Sequence, residues 1–235
     1  MNILAVIAHP DDEILGCGAT FRMLADQGHR VVTCVLSGDA DARHARPELA
    51  RLHQLATDCA RMVGIADSRR HSFKNIQLNT VPHLDLVKAI EQAIIEFEPE
   101  WVFTHHPGDL NVDHRICWEA TMSAVMLPQR LSGNLAPTLI KKVFLFEVPS
   151  STDWAPAPFA PFQPNAYFDV TRTIETKVAA LRAFEGALKP HPHARSEENV
   201  RALASVRGGA VGVAYAEAFF LTRDLYLERS ASCRT

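Results

Sequence analysis

Residues 3–13 constrain the fold of this chain more than any other stretch. Residues 3–8 are all small or branched and apolar, which predicts a strand buried on both faces, as in the centre of a parallel sheet. Pro10 lacks a backbone donor, so we expect the strand to stop there. One imidazole and three carboxylates follow at once: His9, Asp11, Asp12 and Glu13. A divalent cation is the simplest way for carboxylates this close to tolerate one another.

The size and charge of the chain exclude several classes of protein. Its 235 residues are 47% apolar and 22% charged, which predicts one α/β domain over residues 1–235. A net charge of −3 provides no basic surface for nucleic acid or anionic lipid, and we expect neither as a partner. No apolar run approaches the ~20 residues of a membrane-spanning helix.

The cysteines and the N-terminus predict a cytoplasmic protein. The five cysteines are scattered, odd in number and without a C-x-x-C pair, which favours reduced thiols. The N-terminus has no charged segment before its first strand, so we expect no signal peptide.

Residues 3–36 read as a strand, a helix and a second strand joined by short links. A helical pattern over residues 14–27 separates the first strand from residues 31–36, and such a βαβ unit implies parallel pairing. Gly16 and Gly18 could also belong to a dinucleotide fingerprint. We give that alternative little weight, because carboxylates occupy the loop where a pyrophosphate would need free backbone donors.

A second polar cluster, residues 105–114, follows the apolar strand at residues 101–104. The carboxyl ends of parallel strands meet at one edge of a sheet, so both clusters should face one crevice. His9 and Asp12 are three residues apart and could aim at one point, with His114 as a third ligand. Two imidazoles and a carboxylate suit Zn²⁺ and leave a position open for water. Asp11, next to a ligand, could then accept the water's proton.

Two motifs resemble those of a known family. Residues 8–13, AHPDDE, resemble the signature of the LmbE-like, or PIG-L, zinc-dependent sugar N-deacetylases, and residues 106–115, HPGDLNVDHR, resemble the second motif. The similarity extends to residues 146–152, 191–196 and 215–219. It implies a Rossmann-like three-layer α/β fold with a mostly parallel sheet, a metal on His9, Asp12 and His114, and Asp11 as the general base.

One position departs from the family pattern. Several members carry a histidine three residues before the last ligand to stabilise the oxyanion, and here that residue is Asn111. An amide can donate a hydrogen bond but carries no positive charge. Either Asn111 suffices or His193 of the late motif contributes, from this chain or from a neighbouring subunit of a homo-oligomer.

The remaining polar residues of these segments have open alternatives. We predict that Arg43, His106 and Asp109 bind substrate, although Arg43 could be merely solvated. Of His105 and His106, one could line the pocket while the other packs. Asp109 could instead cap a helix or support a metal ligand. Asp113 could cap a helix, support a metal ligand from behind, or do both.

The motifs imply a deacetylase for a small N-acetylated amino sugar, nucleotide sugar or sugar conjugate. An amidase for a larger acyl group and a non-catalytic sugar- or nucleotide-binding module are the alternatives. Zn²⁺ is the expected cofactor, and Fe²⁺ would also accept these ligands.

Overall fold

A seven-stranded sheet forms the centre of the chain. The computed structural model describes residues 1–37, 48–131 and 137–227. Within them the strands lie in the order β3-β2-β1-β4-β5-β7-β6. The strands are β1 Asn2–Ile7, β2 Arg30–Val35, β3 Ile65–Arg70, β4 Trp101–His105, β5 Lys142–Phe146, β6 Ala166–Asp169 and β7 Ala216–Asp224.

The sheet is mostly parallel, as the sequence predicted. β3, β2, β1, β4 and β5 pair in parallel, and β7 pairs antiparallel with both β5 and β6. Residues 3–7 of β1 are fully buried, because helices cover both faces of the sheet there. β1 and β4 are direct neighbours, with Ala5 opposite Phe103, so both strands end at the same edge.

Helices cover both faces of the sheet and complete a three-layer αβα fold. They are α1 Asp12–Asp26, α2 Leu49–Met62, α3 His83–Phe97, α4 Val112–Ala124, α5 Leu127–Arg130, α6 Ile174–Ala183 and α7 Glu197–Gly209. One apolar core contains Phe21 of α1 and Leu181 of α6, and the other contains Ile90 of α3 and Cys117 of α4. Within the described residues, no helix has both the length and the apolarity needed to cross a bilayer.

Gly16 packs against a side chain of the sheet. A Cβ at Gly16 would overlap the ring of Phe146. The glycine is therefore required for close approach between α1 and β5, and the dinucleotide alternative has no support here.

Two segments differ from the sequence-based expectation. The sequence predicts a short, weak strand around residues 71–73, but the strand lies earlier, at Ile65–Arg70, where it forms an edge of the sheet. Its residues IADSRR are mostly polar, because an edge strand keeps much of its surface in water. The sequence also predicts a helix over residues 174–188, but this helix ends at Ala183, since Phe184 is extended and Gly186 has a φ of +87°.

Candidate metal centre

Three buried side chains meet where β1 and β4 end. One ligand atom each from His9, Asp12 and His114 lies within 4.8 Å of the other two. His9 Nδ1 is 3.3 Å from Asp12 Oδ2, and His114 Nε2 is also 3.3 Å from that oxygen. Two ligands bound at 2.0–2.2 Å in a tetrahedron are separated by about 3.4 Å. The three side chains therefore have the chemistry and the spacing of a zinc site.

Each of the two histidines is held from behind by a second carboxylate. His9 Nε2 lies 3.0 Å from Asp113 Oδ2, and His114 Nδ1 lies 3.1 Å from Asp109 Oδ2. A ring proton on each of these nitrogens would leave the opposite nitrogen, the one facing Asp12, with its lone pair for a metal. Carboxylates in this arrangement orient histidine ligands in metal sites, which further fits the three residues to a cation.

Asp113 connects His9 to the loop that follows β3. Its carboxylate also accepts hydrogen bonds from the backbone N–H groups of Ile76 at 2.6 Å and Leu78 at 3.0 Å. Asp113 is fully buried, and its own N–H donates to the side chain of Asn111. Of the two alternatives for Asp113, the geometry corresponds to support of a ligand, while Asn111 is the residue that caps α4.

Asp109 lies behind His114. The residue is fully buried, and the hydroxyls of Ser151 and Thr152 both donate to its carboxylate. The backbone N–H of Asn111 donates to the same carboxylate at 2.8 Å. Of the alternatives for Asp109, this geometry corresponds to support of His114 from behind, and substrate binding by Asp109 stays a prediction.

Burial and mutual charge shift the protonation of the three central residues. Burial lowers the pKa of His114, but Asp12 and Asp109 outweigh it and raise that pKa to about 10. Burial also opposes protonation of His9, yet hydrogen bonds with Asp113 and Asp12 raise its pKa. Burial raises the pKa of Asp12, but the charge of His114 brings it well below its usual value. A metal ligand must be a neutral imidazole or an ionised carboxylate, so metal binding here would compete with protonation of the two imidazoles.

His105, for which pocket lining and packing were the alternatives, is a buried neighbour of the centre. Its ring stacks on that of His114 at 4.0 Å between centroids, and its Nε2 accepts from the backbone N–H of Ala8 at 3.0 Å. Burial holds the pKa of His105 well below its ordinary value. A neutral His105 thus satisfies the N–H that follows β1 and packs against a ligand.

Asp11 lies beside the centre in an unusual backbone conformation. Its φ of 103° is uncommon for a residue with a Cβ, and such strain concentrates at functional sites. The N–H of Asp11 donates to the Glu13 carboxylate at 3.0 Å, and Oδ2 of Asp11 lies 3.7 Å from Arg195 Nη1. Burial raises the pKa of Glu13 to about 8, and the charges of Asp11 and Asp12 add to this effect.

Asn111 is the N-cap of α4. Its Oδ1 accepts from the N–H of Asp113 at 2.9 Å.

His193 and His106 do not join the three central residues in the described part of the chain. The His193 ring packs on Trp154, and its Nδ1 accepts from the N–H of Arg195. His106 is buried, its Nδ1 accepts from the N–H of Gly108, and burial lowers its pKa. Arg43 lies outside the described residues.

Asn75 is a further polar residue that no sequence pattern indicated. It is only 2% exposed, and within the described segments neither its Oδ1 nor its Nδ2 has a hydrogen-bond partner. It precedes Ile76, whose N–H binds Asp113. Buried amides are normally hydrogen-bonded, so Asn75 has capacity for a polar ligand.

Solved structures confirm the predicted fold. The N,N'-diacetylchitobiose deacetylase from Pyrococcus horikoshii superposes with a TM-score of 0.74 at 19% identity, covering 99% of this chain and 87% of that one. The 4-carboxy-2-hydroxymuconate hydratase from Pseudomonas putida KT2440 gives 0.73 at 20% identity, covering 98% and 99%. A deacetylase and a hydratase share this architecture, so the fold alone does not select the reaction.

Sequence comparison is more specific. Over 147 residues the chain is 31% identical to the protein described as uncharacterized deacetylase YaiS of Escherichia coli K12, covering 58% of this chain and 75% of that protein. The profile of the family described as PIG-L: GlcNAc-PI de-N-acetylase matches residues 4–125, over half of the 235 residues, and includes both polar clusters. Membership supports deacetylase activity on an N-acetylated sugar-type substrate. This chain belongs to the PIG-L family of de-N-acetylases.

Proposed function

We propose that this chain is a metal-dependent hydrolase that removes the acetyl group from an N-acetylated amino sugar, nucleotide sugar or sugar conjugate. The observation that carries the proposal is that one ligand atom each from His9, Asp12 and His114 lies within 4.8 Å of the other two. Asp11, which precedes Asp12 in sequence, supplies a further carboxylate. Three protein ligands and a separate carboxylate are the groups that metal-assisted amide hydrolysis requires.

His9, Asp12 and His114 would hold the cation, and Asp113 and Asp109 would orient the two imidazoles. When bound, Zn²⁺ supplies Lewis acidity that polarises a carbonyl and lowers the pKa of water from 15.7 to about 7. Fe²⁺ suits the same ligands, so the metal content of the purified protein has to be measured to identify the ion.

Asp11 is the proposed general base. Its carboxylate takes a proton from the attacking water while the water oxygen forms a bond to the acetyl carbon. The C–N bond then breaks, and Asp11 returns the proton to the leaving amine, so that acetate and the free amino group are released. Acid–base catalysis by one positioned group contributes typically 10²–10⁴-fold.

Asn111 is the first candidate to stabilise the oxyanion. Its Oδ1 is committed to the cap of α4, which directs the Nδ2 donor away from that cap. His193 stays the alternative predicted from the late motif. The amide of Asn75, buried without a partner among the described residues, is proposed to bind the sugar, and substrate contacts from His106 and Arg43 stay predictions.

A panel of amides tests this function. Acetate release would be measured with N-acetylglucosamine, N,N'-diacetylchitobiose and nucleotide-linked N-acetylglucosamine, each with and without chelator. We expect chelator-sensitive release from at least one of them. Asp11→Asn should keep the metal content of the wild type and lose turnover. A purified protein without metal, or a metal-replete Asp11→Asn variant with full activity, would contradict the proposal.

An amidase for a larger acyl group is the second candidate. A cleft of about 490 Å³ is lined by Gly108 and Thr152, and Phe159 and Phe162 form part of its wall. The Thr152 hydroxyl donates to the carboxylate of Asp109. Apolar side chains there could accept an acyl chain longer than acetyl. Adding N-butyryl and N-octanoyl glucosamine to the panel separates the two candidates, because only an amidase of this kind would prefer the longer chains.

The location, the oligomeric state and the partners of the protein are also proposals. A cytoplasmic location, a homo-oligomeric state and the lack of nucleic-acid or membrane partners stay predictions from the sequence.

A further inference from the structure

Arg195 faces the proposed general base. Its Nη1 lies 3.7 Å from Asp11 Oδ2, and the two side chains are 22% and 17% exposed, so both reach the surface of the site. Arg195 belongs to the late motif, residues 191–196, in which His193 was the residue predicted to stabilise the oxyanion. In the described structure it is Arg195, two residues further on, that brings a charge to Asp11.

Arg195 is itself fixed by the turn that follows β5. Its Nε donates to Pro149 O at 3.1 Å and to Ser150 Oγ at 2.7 Å. The carbonyl of Arg195 accepts from Lys189 N at 3.2 Å, which closes the loop that carries it. With one edge of the guanidinium held in this way, the planar group presents Nη1 to Asp11 in a defined direction.

The same turn also holds a metal ligand. Residues 151 and 152, directly after Ser150, donate their hydroxyls to Asp109, which contacts His114 Nδ1. Residues 149–152 therefore connect to the proposed base through Arg195 and to a proposed ligand through Asp109. The turn is thereby connected to both Asp11 and His114.

The contact between Arg195 and Asp11 is not explained by stability. Partly exposed ion pairs contribute little to the folded state, and 3.7 Å is longer than a hydrogen bond. The backbone of Asp11 is already held by Glu13. The contact instead places a fixed positive charge beside the Asp11 carboxylate, where it can orient that carboxylate.

We propose that Arg195 is a positioning residue that orients the Asp11 carboxylate toward the water held at His9, Asp12 and His114. This inference rests on the proposed function. Because a misplacement of about 1 Å in a reacting group can cost 10²-fold in rate, the effect should be seen in kcat.

The test compares Arg195→Met, Arg195→Lys and Asp11→Asn in metal-loaded protein, with N,N'-diacetylchitobiose as substrate and Arg61→Met as a control. Arg61 is 70% exposed on α2, away from the site. We expect Arg195→Met to lower kcat by about 100-fold with KM changed by less than about threefold. Arg195→Lys should recover part of kcat, and the metal content of both variants should equal that of the wild type. An unchanged kcat in Arg195→Met, or a raised KM alone, would overturn the inference.

A structural measurement keeps the inference independent of the substrate. Crystal structures of the wild type and Arg195→Met would show whether the Asp11 carboxylate rotates or becomes disordered while His9, Asp12 and His114 stay in place. An unmoved carboxylate in Arg195→Met would overturn the inference even if no substrate is found. Conversely, a wild type that releases no acetate from any amide, but whose Asp11 rotates in the variant, would contradict only the proposed function.

Discussion

The carboxylate of Asp113 lies 3.0 Å from Nε2 of His9, and this contact determines that Nδ1 of the ring faces Asp12. Asp113 is fully buried and is also bound by two backbone N–H groups of the loop after β3. The orientation of the first proposed ligand thus depends on an element that lies far from it in sequence.

We expect Asp113→Asn to lower zinc affinity by about 10–100-fold, because the ring of His9 would lose the charge that orients it. Competition with a fluorescent chelator measures this affinity. Asp85→Asn, in the exposed first turn of α3, is the matched control and should bind zinc as the wild type does. Equal affinity in Asp113→Asn and the wild type would show that the contact does not tune the site.

Zinc should stabilise the folded chain. A ligand that binds only the native state at 100 times its Kd adds about 2.7 kcal/mol to the free energy of unfolding. We therefore expect Tm of the metal-free protein to rise with zinc concentration, as followed by calorimetry. His114→Ala should lose most of this response, whereas His83→Ala, an exposed residue, should retain it. An identical rise in Tm for His114→Ala would place the zinc elsewhere.

Asn111 has two separable contributions. Asn111→Ala should lose about 1 kcal/mol of stability, because α4 loses its capping oxygen. Asn111→Ser keeps a capping hydroxyl but lacks the Nδ2 donor. We expect kcat to fall roughly 10²-fold in both variants if Nδ2 serves the oxyanion, with stability lowered only in Asn111→Ala. Urea unfolding and steady-state kinetics separate the two effects, and full activity in Asn111→Ser would transfer the role to another donor.

Lys177 and Glu217 form a buried ion pair between α6 and β7. Lys177 Nζ lies 2.6 Å from Glu217 Oε1, and the Glu217 carboxylate also accepts from the N–H of Thr20 at 2.7 Å. Lys177→Met would leave this carboxylate buried without a compensating charge, so we expect a loss of about 3–5 kcal/mol in urea unfolding. Lys142→Met removes a more exposed partner of Asp224 and should cost less than about 1 kcal/mol. Similar losses in the two variants would contradict this account.

The sequence predicted most of the elements because their local signals are strong. The apolar run of β1, the helical pattern over residues 14–27 and the apolar strand at residues 101–104 all report local burial or backbone geometry. β3 was displaced in the prediction because its side chains are mostly polar at the edge of the sheet. An edge strand is defined by its neighbour, and the neighbour is not visible in local sequence.

The residues of the proposed site also fall into those that local sequence could predict and those that it could not. His9 and Asp12 are three residues apart on one turn, so their convergence could be predicted from spacing alone. The contact of His105 with the N–H of Ala8 joins residues 97 apart, and that of Arg195 with Asp11 joins two loops from opposite ends of the chain. Asp109 shows the limit most clearly, since its position in the motif left open whether it binds substrate, caps a helix or lies behind a ligand, and only the structure places it behind His114.

The sequence by itself determined the α/β class, the parallel centre of the sheet, the family and the group of residues that could bind a metal. Only the tertiary structure decided which nitrogen of each histidine faces Asp12, which carboxylates lie behind them and which side chain faces Asp11. The physical reason is that periodicity and motif spacing record local conformation and burial. The direction of a side chain at the sheet edge instead depends on contacts from loops that the strand order brings together.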